Sequence, residues 1–235
     1  METTGENAAG SQVLRHAARE TSWEPAVDGD EETARAIEAH IERYFGPIAF
    51  VWHEIVSDLV HIDVHVVEPT PQRPYFVLVT SGMSDRPMNV PAAAEVSPFA
   101  ELMLCLPETW PLNADAFEDE NAYWPIRWLK MVARLPHEYN TWIGEWHSVP
   151  NGDPAEPFAS KTPFAGVLVA PMVRCEPEAN TIVTESGKEI SLLALVPLHR
   201  AEIDLKVARG TDALLDAFDA ISVSEIFDPA RPSAV

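Results

Sequence analysis

Residues 60–67 read Val60-His61-Ile62-Asp63-Val64-His65-Val66-Val67. Val60, Ile62, Val64 and Val66 alternate with His61, Asp63 and His65, and a period of two marks a β-strand. The alternation predicts one face against a core and one face wet. Upstream, residues 48–56 (IAFVWHEIV) predict a partner strand. The intervening Ser57-Asp58-Leu59 is short enough to close a hairpin. Downstream, residues 75–80 (YFVLVT) and 99–106 (FAELMLCL) predict two more strands, and apolar runs near 164–170 and 189–196 two further ones. Thr181–Thr184 leads into the last of these through a turn at Ser186-Gly187-Lys188. Thr141–Val149 precedes a turn at Pro150-Asn151-Gly152-Asp153.

Helical spacing occupies the gaps. In residues 31–45, Ala34, Ile37, Ile41 and Tyr44 share a stripe, with Asp30 or Thr33 as cap and Gly46-Pro47 as stop. Residues 123–135 predict a central helix with Pro125 in its first turn, where a missing N–H costs nothing. Residues 211–220 predict a late helix. Strand runs on either side of a central helix point to an α+β fold: a mixed, largely antiparallel sheet with helices packed on it. The chain divides into a mobile N-terminal arm over 1–28, a single domain over 29–228 and a Pro-rich, mobile C-terminal tail over 229–235.

Composition excludes several functions. Of 235 residues, 16 are Lys or Arg and 37 are Asp or Glu, a net charge of −21. A phosphate backbone or an anionic membrane surface would be repelled. No apolar run approaches a membrane span. The opening METTGENAAG has no basic-then-apolar pattern, so the expected location is cytoplasmic. The 10 glycines never form G-x-G, and the one pair with phosphate-loop spacing, Gly5 and Gly10, is followed by Ser11 where Lys is needed. The 2 cysteines, Cys105 and Cys175, cannot make a disulfide framework and read as buried thiols in a reducing compartment.

Few residues suggest catalysis. His61, Asp63 and His65 share one strand face about 7 Å apart, so two imidazoles and a carboxylate could converge on a metal, helped by His53. A metal-dependent hydrolase built on them is the alternative reading, and a solvated strand face accounts for the same residues. Ser81-Gly82-Met83-Ser84-Asp85 lacks the last glycine of a nucleophile elbow and reads as a turn. The acidic stretch says more. Between Arg86 and Arg127 lie 40 residues without Lys or Arg, holding Glu95, Glu101, Glu108, Asp115, Glu118, Asp119 and Glu120. Such a surface could receive a basic partner segment. Of the 7 tryptophans, Trp124 and Trp128 sit at helical spacing and read as core, whereas Trp110 and Trp142 fall in expected loops.

An ordered set of short segments resembles a known family. His61-Ile62-Asp63-Val64 leads to Leu78-Val79-Thr80-Ser81-Gly82-Met83-Ser84-Asp85, then Met88, Pro91, Ala100-Glu101-Leu102, Leu106-Pro107 and Trp110. Tyr123-Trp124-Pro125, the Leu129–Leu135 helix, Trp146-His147-Ser148 and Thr162-Pro163-Phe164 follow. The order resembles the Suppressor of fused domain family, in particular its stand-alone bacterial members. The resemblance implies a protein-binding domain that is not an enzyme and uses no cofactor or metal. Animal members grip an extended peptide of a Gli-type transcription factor and carry a second domain for which this chain is too short. Bacterial members are thought to be immunity proteins against polymorphic toxins, whose basic toxin domains would suit an acidic partner. Ser81, Gly82, Ser84, Asp85, Glu101 and His147 become framework positions under this resemblance. The expected partner contacts are Asp85, Glu101, Trp110, Asp115, Glu118, Asp119 and Glu120, with Asp85 more readily capping its own loop.

Overall fold

The computed structural model describes residues 2–6, 12–16, 23–26 and 29–235. The arm expected over 1–28 therefore falls partly outside the described residues. Within it, β1 (Glu2–Glu6) and β2 (Gln12–Arg15) pair antiparallel as a separate two-stranded sheet. The main sheet then runs β3 (Ile48–Trp52), β4 (Asp63–Val67), β5 (Tyr75–Ser81), β6 (Ala100–Pro107), β7 (Ser148–Pro150), β8 (Phe164–Ala170), β9 (Thr181–Val183) and β10 (Glu189–His199). Helices α1 (Glu31–Tyr44), α2 (Glu120–Glu138), α3 (Arg200–Arg209) and α4 (Thr211–Ala220) complete the fold.

The spatial order is β3-β4-β5-β6-β10-β8-β7, with β9 also on β10. The β6–β10 pair is parallel and the other neighbours are antiparallel, so the sheet is mixed and open and the fold is α+β. β10 is the hinge of the architecture. Ser191 to Ala194 pair with β6, and Ala194 to His199 pair with β8 on the other edge. Past Ala194 the β6 edge is taken by the C-terminal segment: Cys105 makes an isolated parallel bridge to Ile226, and the Phe227 N–H donates to the Cys105 carbonyl at 3.2 Å. Phe227 thereby enters the core, edge-on to Trp110, Trp124 and Phe164 at 5.2–5.6 Å.

Both faces of the sheet are covered. Val64, Val66, Leu78, Leu102, Leu104 and Leu193 pack under α2 through Trp124, Trp128, Leu129 and Val132. On the opposite face Val67, Val79, Met103 and Leu192 meet Ile37 and Ile41 of α1. Further along, Leu168, Val196 and Leu198 meet Ile203, Leu214 and Phe218 of α3 and α4. The wet face expected for β4 is therefore buried, and His65 is only 5% exposed.

Three other expectations change. β3 and β4 do pair, but no tight hairpin at Ser57–Leu59 joins them: the connection runs from His53 to Ile62. The central helix begins at Glu120, because Asp119 caps it by accepting from the Asn121 N–H at 2.9 Å. Pro125 thus lies inside the helix, one turn later than expected, and Pro136 lies inside it too. Finally, the tail is fastened down: Arg231 pairs with the buried Glu202 of α3, and the Ala234 N–H reaches the same carboxylate at 2.9 Å.

A cleft beside the first strands

The long β3–β4 connection has a structural consequence. It folds over the strand ends and meets the residues that precede α1. The Leu59 N–H donates to the Glu24 carbonyl at 3.1 Å, the Glu24 N–H donates to Asp58 Oδ1 at 2.8 Å, and Pro25 bridges Asp58. Between these walls lies a cleft of about 510 Å³, within the usual size of ligand-binding clefts. Its floor is Asp63, Ser81, Gly82 and Asp85; α1 lends Asp30, Thr33 and Ala34; the rim carries Trp23, Ile55 and Val56.

The floor is a locked hydrogen-bond system. Asp63 Oδ1 accepts from the Glu54 N–H at 3.0 Å and lies 2.9 Å from His61 Nε2, while its Oδ2 lies 2.7 Å from His53 Nδ1. The Ser57 hydroxyl lies 2.8 Å from both His61 Nδ1 and Glu54 Oε2. Arg134 of α2 closes the network with Nη2 at 2.7 and 2.6 Å from the two Glu54 oxygens. Burial pushes the Glu54 carboxyl up, but Arg134 and Ser57 more than offset it, so its pKa is lowered.

His65 takes no part in this network. It lies under α1 with Nε2 2.9 Å from the Ser81 hydroxyl. His61, Asp63 and His65 therefore do not converge. Among the described residues no group of three His, Cys, Asp or Glu side chains is placed to hold a metal. His61 precedes β4, and of the two strand residues Asp63 lines the cleft while His65 is buried away from it. Cys105 is likewise buried in β6, and burial raises its thiol well above the ordinary value.

Of the expected contact residues, Asp85 alone lines the cleft. Burial pushes its carboxyl up, partly offset by the Asp30 N–H. Asp85 thus meets the residue before α1, while the cap of that helix is Asp30, which accepts from the Glu32 N–H at 3.1 Å. Glu101 has no exposed surface and binds four donors of the Gly82–Ser84 turn and β5. Trp110 is half-buried, with its indole N–H on the Ala122 carbonyl at 3.0 Å. In the acidic loop, Asp119 caps α2 and Glu120 pairs with Arg127, whereas Asp115 and Glu118 are exposed. The rim escaped the sequence reading because Ile55 and Val56 looked like the end of a strand. Their flanking by Glu54 and Ser57-Asp58 was the available signal for a loop.

With this geometry in hand, comparison with known proteins is decisive for the family. The profile described as Suppressor of fused protein (SUFU) matches residues 58–232. The chain belongs to the Suppressor of fused family. A crystal structure of a Suppressor of fused homologue from Neisseria gonorrhoeae superposes with a TM-score of 0.61 at 15% identity, over 87% of this chain and 96% of that one. A chain from the Sufu–Fu complex gives 0.60 at 13% identity, over 86% and 92%. No curated protein matches the chain. The fold is thus the Suppressor of fused fold. The floor residues Asp63, Gly82 and Asp85 fall inside the matched range, while the rim residues Trp23, Ile55 and Val56 fall outside it.

The buried imidazoles predict how this Suppressor of fused domain responds to acid. Burial lowers the pKa of His65, His137 and His147 below the ordinary value. The native state then holds fewer protons than the unfolded chain, whose histidines titrate near pH ~6.5. Stability should be fully present above that pH and fall as pH drops through the lowered native values. Urea midpoints at pH 7.5, 6.5 and 5.5 check this, since carboxylates contribute mainly below that range. His65→Gln should flatten the slope.

Proposed function

We propose that the chain binds and neutralises a protein partner, as an immunity protein of a polymorphic toxin system, and works without covalent chemistry in the cytoplasm. The observation that carries this reading is membership of a family with a structural relative crystallised in a Sufu–Fu complex. Charge adds the class of partner. A net −21 favours a basic domain, such as a toxin that acts on nucleic acid. The exposed carboxylates of Asp115 and Glu118 extend the acidic surface beside Phe117, which leans on Trp52 and Tyr123. No helix among the described residues is long and apolar enough to cross a membrane, in keeping with a partner met in water.

The test is the product of the reading frame beside this one. Titration calorimetry should give a 1:1 complex that weakens about tenfold or more between 50 and 300 mM salt, because the distance over which exposed charges act shrinks from above about 10 Å to below it. Co-expression should relieve any toxicity of that product. A titration without heat, together with unrelieved toxicity, would count against the proposal, and a salt-insensitive complex would remove its electrostatic part.

A further inference from the structure

The cleft exposes apolar surface that the fold does not need. Ile55 is 97% exposed, Val56 74% and Trp23 60%, and all three rim one concavity. Scattered exposed apolar side chains are ordinary, but three gathered around a concave site mark a binding surface. Their supports are firm. The loop carrying Ile55 and Val56 is pinned through Glu54 to Arg134 and Ile62, and through Asp58 to Glu24. The rim is therefore held out in water by a rigid base.

The lining below the rim is acidic. It holds Asp30, Asp63 and Asp85, with His61 as the one titratable base and no Lys or Arg. Asp63 is satisfied by its two histidines. Asp85 is half-buried, accepts only the Asp30 N–H by hydrogen bond and stands beside the charge of Asp30, whose oxygens accept from the Glu32 N–H at 3.1 Å and the Thr33 hydroxyl at 2.7 Å. The nearest cation, Lys188, is committed elsewhere: its Nζ donates to the Ser84 carbonyl at 2.8 Å and to Thr33 Oγ1 at 3.2 Å, and sits 4.4 Å from the Phe99 ring centroid. A further cation entering the cleft would find two neighbouring carboxylates and the exposed indole of Trp23.

We infer that this cleft docks a short segment of the partner protein in which a Lys or Arg is flanked by large apolar side chains, the cation reaching Asp30 and Asp85 and the apolar groups seating on Trp23, Ile55 and Val56. The inference rests on the protein-binding reading above and supplies its site and the chemistry recognised. The rim lies outside the range matched by the family profile and the floor inside it.

A random peptide library displayed on phage and selected against the whole chain is the probe. Selected sequences should be rich in Lys or Arg beside Leu, Ile, Phe or Trp. Synthetic versions, measured by fluorescence polarisation, should lose about tenfold or more in affinity on Ile55→Ser with Val56→Ser. These side chains are exposed, so melting temperature should not move. Asp85→Asn should weaken binding severalfold and shallow its salt dependence. No enrichment, peptides without a cation, or equal binding to the double variant would overturn the inference. The two readings fail separately. If the double variant binds the adjacent gene product as tightly as the native chain, the cleft is wrong and partner binding stands. If neither chain binds it, the proposed function fails.

Discussion

Glu101→Ala should cost about 4 kcal/mol or more of folding stability, because it strips the partners from four buried donors at once, at about 1–3 kcal/mol for each unsatisfied group. Glu101 projects from β6, fully buried, into the turn after β5. Its Oε2 accepts from the Thr80 hydroxyl at 2.6 Å. Its Oε1 accepts from the Gly82 N–H at 3.0 Å, the Ser84 N–H at 2.9 Å and the Ser84 hydroxyl at 2.7 Å. The hydroxyls can turn to other acceptors. The two backbone N–H groups cannot, and they decide the magnitude. The turn has no second way to fold, since Gly82 has φ +105° and a Cβ there would stand 1.8 Å from the His61 carbonyl oxygen. Burial holds the Glu101 carboxyl above its ordinary pKa, and the hydrogen bonds from Thr80 and Ser84 draw it part of the way back. Glu101→Gln keeps the shape but points an NH₂ at donors, so a loss of about 2 kcal/mol is expected. Urea denaturation gives both values. Amide exchange at Gly82 and Ser84 should quicken in both variants before global unfolding. A loss under about 1 kcal/mol for the alanine variant would mean that water replaces the carboxylate and that the turn is not set by it.

The same residues show what the sequence could and could not say. The alternation of Val60 to Val66 gave β4 and its core face, because burial of alternate side chains leaves a period of two. It could not say that the other face is covered as well. His65 is polar, and nothing local records that α1 returns over it. The join between β3 and β4 was misread for a related reason. Ile55-Val56 continues the apolar run of β3, and local composition cannot distinguish a buried strand end from an exposed rim. Under the resemblance Glu101 is both a framework position and an expected partner contact, and a contact needs a carboxylate in water, where charge is normally found. Only the long-range pairing of β5 with β6 brings the Gly82–Ser84 donors to Glu101 and reverses that expectation. The helices announced themselves where caps and stripes agree, as in α1. In α3 the capping residue is His199, outside the usual set of caps, so its start carried no signal.

The Pro-rich ending carries the second large effect. Arg231→Ala should destabilise the domain by about 3–5 kcal/mol, the range for removing one partner of a buried ion pair. Glu202 is 0% exposed in the first turn of α3, where its Oε2 also accepts from the His199 N–H at 2.8 Å. Arg231 meets both its oxygens, donates to the Pro197 carbonyl at 2.9 Å and lies 5.4 Å from the ring centroids of Phe164 and Phe218. Burial pushes the Glu202 carboxyl up, but Arg231 and the Ala234 and His199 amides more than compensate, so its pKa is lowered. A lowered carboxylate contributes stability above the unfolded value near ~4.5, and that contribution disappears as pH falls through the native value. Without Arg231 the carboxylate loses its counter-charge and takes up a proton more readily. The gap between native and variant should therefore be widest at neutral pH and narrow in acid. Arg231→Lys restores charge without the two-pronged geometry and should recover only part of the loss. Removing residues 230–235 should cost at least as much as Arg231→Ala, because it breaks the same pair and also takes the Ala234 N–H from Glu202. Glu202→Gln combined with Arg231→Met should lose less than Arg231→Ala alone, since no unpaired charge stays buried. A truncated chain as stable as the native one at pH 7 would show that the tail is an appendage and that Glu202 finds its compensation elsewhere.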